Sequence, residues 1–132
     1  MAETLRDQVR MRAGGVCEYC RLPDWATPED PFHCDHVSPR QHGGPDDEQN
    51  RAWCCSRCNL HKGTNLSGVD PDGTGIVNLF SPRSQRWSEH FALKEDRILG
   101  LTPVGRATVW LFQMNAERRV ELRRQIRLSE SP

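Results

Sequence analysis

Long apolar runs are missing from this chain of 132 residues. No segment approaches the roughly 20 consecutive apolar residues that a membrane helix requires, so membrane association is not expected. The opening stretch MAETLRDQVRMR has no apolar centre either. It reads as a charged helix rather than a signal peptide, which makes a cytoplasmic location the expectation. Apolar side chains are scarce overall, at 36% with a mean hydropathy of −0.74. A core this small calls for a cross-link or a metal. Net charge is absent, with 18 basic and 18 acidic residues, so the uniform positive charge of many nucleic-acid binders is lacking. Internal repeats and low-complexity tracts are absent too. No feature sets an oligomeric state.

What the chain does have is cysteine, six in all. In a reducing compartment six thiols read as metal ligands rather than disulfides. Four of them form two C-x-x-C units, Cys17 and Cys20 in CEYC and Cys55 and Cys58 in CSRC. Two such turns make a tetrahedral thiolate cage for a structural Zn2+, and metal binding of this kind contributes on the order of 10 kcal/mol to folding. Cys34 and Cys54 are left over and read as core packing. Charge is also unevenly placed. Residues 1–80 hold 8 Lys/Arg against 12 Asp/Glu, whereas residues 81–127 hold 10 against 5. A basic half could anchor a phosphate backbone, or it could be an ordinary solvated helix face.

The local pattern predicts an α+β domain. Residues 3–12 form a short amphipathic helix closed by Gly14-Gly15. FHCDHV, residues 32–37, is a strand, with His33, Asp35 and Val37 on one face and Cys34 and His36 on the other. Pro39 stops it, and residues 42–47 are a turn-rich loop. A helix is expected from Asn50 to about Lys62, ended by Gly63. Further on, residues 68–75 read as turn, 76–80 and 97–101 as strands, and 102–105 as a turn. Residues 106–127 read as one long helix, with Val109, Phe112, Ala116 and Val120 on its apolar stripe. Trp87 and Phe91 are expected packing anchors. The expected division is a core over residues 1–65 and an extension over 66–132 that ends in a basic helix, packed as one domain.

Between the cysteine pairs stands Asp35-His36, a carboxylate beside an imidazole. On a strand these side chains point to opposite faces, so they divide the work. The carboxylate suits a hard divalent cation, and the imidazole takes a proton from water near neutral pH. Together they are parts for metal-assisted hydrolysis.

The string CEYC, FHCDHVSPRQHGG, NRAWCCSRCNLHKG resembles the HNH endonucleases, in the subgroup whose ββα-metal motif is stapled by a four-cysteine zinc site. The similarity spans about residues 14–64. It implies His36 as the general base and Asp35 as a ligand of a catalytic Mg2+ or similar divalent ion. It implies Asn50 as the central asparagine that fixes the loop and orients the histidine, and Asn59 as the third motif position, giving an H-N-N pattern. An asparagine oxygen suits Mg2+. His61 competes with Asn59 for that ligand position. Lys62 is either a phosphate contact or a solvated helix-end charge. The implied substrate is a nucleic acid, DNA above all, and the implied products are a 5′-phosphate and a 3′-hydroxyl. Outside the motif, Arg83, Arg86, Arg119 and Arg123 are candidate nucleic-acid contacts. His33 and His42 read as surface and loop residues. The alternative is a zinc-ribbon module that binds nucleic acid without cutting it, but such a module has no use for Asp35, His36, Asn50 and Asn59 at this spacing.

Overall fold

The computed structural model describes residues 3–73 and 75–130. The chain divides into two compact units, one formed by Met1–Leu66 with Ser81–Gln85, the other by Ser67–Phe80 with Arg86–Pro132. The expected boundary after residue 65 is therefore crossed once, because Ser81–Gln85 returns to the first unit. Among the described residues no helix is long and apolar enough to cross a membrane.

The first unit opens with α1 (Leu5–Ala13). Thr4 and Asp7 cap it reciprocally, each side chain accepting from the other's backbone N–H. Gly14 ends it in the left-handed region at φ 68°. The first cysteine turn follows. β1 (His33–His36) then pairs antiparallel with β2 (Arg51–Cys54), setting Asp35 opposite Ala52 and His36 opposite Arg51. β2 runs into α2 (Ser56–Lys62), which completes a ββα unit.

The helix expected from Asn50 is thus a strand as far as Cys54, with α2 beginning only at Ser56. Trp53 favours a pleated, half-covered surface, and β1 supplies the ladder partner its backbone needs. The first cysteine turn meets β2 from the other side. Glu18 N–H donates to the Trp53 carbonyl, and Trp53 N–H donates to the Glu18 carboxylate, each at 2.8 Å. Cys55 then caps α2, its sulfur accepting from Cys58 N–H.

The second unit contains two hairpins and three helices. β3 (Ser67–Asp70) pairs with β4 (Gly75–Asn78), and β5 (Phe91–Lys94) with β6 (Arg97–Gly100), both antiparallel. α3 is Trp87–His90, α4 Pro103–Leu111 and α5 Glu117–Glu130. Leu79, Phe80, Phe91, Ile98, Phe112 and Met114 are buried. Trp87 stacks on Phe91 with ring centres 5.2 Å apart. Asp70 is buried and takes a two-pronged ion pair from Arg106, both bonds at 2.9 Å.

Three expectations change here. β3 falls in the segment read as turn, and β5 in a segment to which no element was assigned. The expected turn at 102–105 is a helix start, with Thr102 accepting from Gly105 N–H and Pro103 in the first turn, where its missing N–H costs nothing. The long helix over 106–127 is two helices. Gln113 has φ 53°, and the Asn115 amide turns back to bond both N–H and C=O of Ile98 at 2.8 Å. That tertiary bridge overrides the helical stripe.

Candidate active site and metal centre

The cysteine centre is built by local turns. The ligand atoms of Cys17, Cys20, Cys55 and Cys58 all lie within 4.8 Å of one another, and all four residues are buried. Cys20 and Cys55 sulfurs are 3.6 Å apart, close to the edge of about 3.8 Å expected for a tetrahedron with zinc–sulfur bonds near 2.3 Å. Cys20 N–H points at the Cys17 sulfur and Cys58 N–H at the Cys55 sulfur, each at 3.5 Å. Burial pushes the thiols of Cys17 and Cys58 well up, so four thiolates need a cation to exist there. The donor set fits a structural zinc. Cys54 is buried outside the cluster, its thiol directed at the Cys55 carbonyl. Cys34 is half-buried on β1.

Asp35 faces inward from β1. It is 8% exposed and its carboxylate carries two partners. Lys62 Nζ lies 3.1 Å from Oδ2, and the Tyr19 hydroxyl donates to Oδ2 at 3.0 Å. Burial raises the Asp35 carboxyl against the opposing pull of Lys62 and Tyr19, and burial likewise raises the Tyr19 phenol. Lys62 is itself only 2% exposed, and it also donates to the His36 carbonyl at 2.8 Å. Neither reading of Lys62 holds, because its ammonium is neither solvated nor open to a phosphate. The aliphatic stem brings the charge from α2 through the interior to β1, where it neutralises Asp35 and grips the backbone of His36. Asp35 is correspondingly a paired carboxylate rather than an open one.

His36 projects from the opposite face of β1, with its side chain 20% exposed. Its Nε2 lies 2.7 Å from Asp46 Oδ1. Asn50 shapes the loop between them. Its amide oxygen accepts from Ser38 N–H at 2.9 Å, and its amide nitrogen donates to the Ser38 and Pro45 carbonyls at 2.8 Å. A Cβ at Gly44 would overlap the Ser38 carbonyl oxygen, so only glycine lets the chain close this tightly. His42 is exposed and its Nε2 meets the Thr64 carbonyl at 3.0 Å, while His33 is exposed on β1. Asn59 stands one turn before Lys62 on the same side of α2, half-buried. His61, two residues on, belongs to a different face of the helix.

The four candidate arginines are largely employed inside the protein. Arg83 is ion-paired with Glu18 and tied to the first cysteine turn. Arg119 donates to the Phe112 carbonyl at 2.7 Å, where α4 ends. Arg123 donates to the Asp96 and Met114 carbonyls. These three guanidinium groups hold the Glu18 carboxylate and backbone carbonyls of their own units. Arg86 is exposed beside α3. Two residues of the site, Tyr19 and Asp46, carry no sequence signal of their own. One is the middle of a C-x-x-C turn, and the other is an ordinary loop aspartate.

The first unit is therefore a cysteine-stapled ββα fold, with a histidine on its outer face and a buried ion pair behind it. Residues 17–65 match the family model described as HNH endonuclease, and this HNH-type segment holds four buried cysteines placed to bind one metal ion, followed by an extension that ends in a helix. No curated protein and no solved structure matches the chain.

Proposed function

We propose that this chain is an endonuclease that hydrolyses phosphodiester bonds in DNA, with His36 as the general base. The observation that carries the reading is the position of His36 within the family-matched ββα unit. It is held on an outer strand face, while its backbone is fixed from behind by Lys62. His36 takes a proton from water, the water oxygen bonds to phosphorus, and the P–O3′ bond breaks. The departing oxygen is protonated by solvent, leaving a 5′-phosphate and a 3′-hydroxyl. Asn50 positions the loop around the base.

A divalent cation, Mg2+ above all, is the implied cofactor, and when bound it offsets charge on the phosphate. Asp35 and Asn59 offer the carboxylate and amide oxygens that such an ion prefers. Asp35 is already paired with the buried Lys62 ammonium on the inner face of β1, so a cation would have to displace that ammonium to occupy it. The setting proposed is the cytoplasm, where the cysteines stay reduced.

Incubation of the zinc-loaded protein with supercoiled plasmid across Mg2+, Mn2+ and EDTA tests the reading. Nicking with Mg2+ or Mn2+ and none with EDTA is expected. Plasmid retained and shifted but never cut under any of these conditions would favour the non-catalytic zinc-ribbon reading instead.

A further inference from the structure

The carboxylate beside His36 has no place in the motif that identified the histidine, and although its side chain is 59% exposed it is tethered from more than one side. Arg40 Nε lies 2.6 Å from Asp46 Oδ1, the same oxygen that faces His36. The Asp46 carbonyl accepts from Arg51 Nε and Nη2, both at 3.2 Å. The preceding carbonyl, of Pro45, accepts from Asn50. Arg51 is in turn fixed to β1 through the Cys34 carbonyl at 3.2 Å, and His36 and Arg51 are opposite each other in the β1–β2 ladder. The side chain of Asp46 is thus held by Arg40 and its backbone by Arg51, with Asn50 fixing the residue before it. The Arg40 guanidinium, followed by His36, holds the Asp46 carboxyl down to about 2, so the group is an anion throughout the working range and only accepts hydrogen bonds.

A neutral imidazole has one N–H and one lone pair, and the partner of the first nitrogen decides which is which. With a carboxylate at Nε2, the proton belongs on Nε2 and the lone pair on Nδ1. Resting on the endonuclease reading above, we propose that Asp46 is a positioning residue for His36. It accepts the Nε2–H, locks the ring and leaves Nδ1 as the nitrogen that takes the proton from water. The same anion lies against the imidazolium once that proton has moved, the role a carboxylate plays behind a histidine base on unrelated folds. Asp46 touches neither water nor phosphate in this scheme.

Two measurements on the full, zinc-loaded chain test this. Long-range 15N–1H NMR of the neutral His36 ring reads the tautomer directly and needs no activity. The Nε2–H form is expected in the parent protein, a mixture in Asp46→Ala, and retention of Nε2–H in Asp46→Asn, whose amide oxygen still accepts. Plasmid nicking then reads the consequence. In Asp46→Ala kcat is expected to fall about tenfold to a hundredfold, at or below the lower end of the roughly 10²–10⁴-fold that a positioned base contributes, with KM unchanged and a smaller loss in Asp46→Asn. An Nδ1–H tautomer in the parent protein, or an unchanged kcat in Asp46→Ala, overturns the assignment. Failure of the endonuclease reading looks different: the parent protein itself then leaves the plasmid uncut with every metal, while the tautomer measurement still judges Asp46.

Discussion

The two units of this chain solve the problem of a scarce apolar core by different means. The first, Met1–Leu66 with Ser81–Gln85, gathers four buried cysteines and one buried Lys–Asp pair around a two-stranded ladder. The second, Ser67–Phe80 with Arg86–Pro132, packs aromatic and aliphatic side chains and ties its turns with arginine and asparagine bonds to backbone and carboxylate. A metal cage fixes positions to within a bond length and leaves a neighbouring strand face free for chemistry. Apolar packing with side-chain caps uses the basic residues internally. The positive charge of the C-terminal half is therefore a poorer guide to a nucleic-acid surface than its count implies.

The largest expected effect separates the units by metal. Zinc chelation, or Cys17→Ser, removes on the order of 10 kcal/mol of binding energy from the first unit. Hydrogen exchange is expected to show lost protection at Ala52 and Trp53 but retained protection at Ile98 and Phe112. Unchanged protection throughout would sink the cage. Next comes the buried pair. Lys62→Met removes the ammonium from the buried Asp35 carboxylate, leaving it the Tyr19 hydroxyl, and is expected to cost about 3–5 kcal/mol in urea unfolding. A loss under 1 kcal/mol would mean the charge had been dispensable. In the second unit, Asn115→Ala leaves both backbone groups of buried Ile98 without their partner, a loss of about 1–3 kcal/mol. The smallest effect lies on the loop. Because Asp46 is depressed to about 2, against about 3.9 for an unperturbed carboxyl, its folded contribution is present above the ordinary carboxyl range. That contribution is lost progressively as pH falls from the ordinary carboxyl range through about 2. The Asp46 carboxyl 13C shift should therefore stay on its ionised plateau at pH 4.

Legibility in the sequence follows the range of the interaction. The C-x-x-C turns, the capped first helix and the parity of Asp35 against His36 are local, and each could be read from residues within a few positions. The strand Arg51–Cys54 could not, because its conformation is set by β1 and by the Glu18 bonds to Trp53. Nor could the break after Leu111, which depends on Asn115 reaching Ile98. The candidate base was legible as a motif. The company it keeps was not, since Asp46 lies ten residues away and Lys62 twenty-six. Lys62 looked like a surface charge by position and proves to be among the most buried side chains.

The central claim is that the cysteine cage presents His36 to a phosphodiester as its base. The direct measurement is plasmid cleavage by His36→Ala beside the parent protein, at matched zinc content and matched melting temperature. Cleavage reduced by about a hundredfold or more is the expected result. Cleavage by His36→Ala at the parent's rate would contradict it.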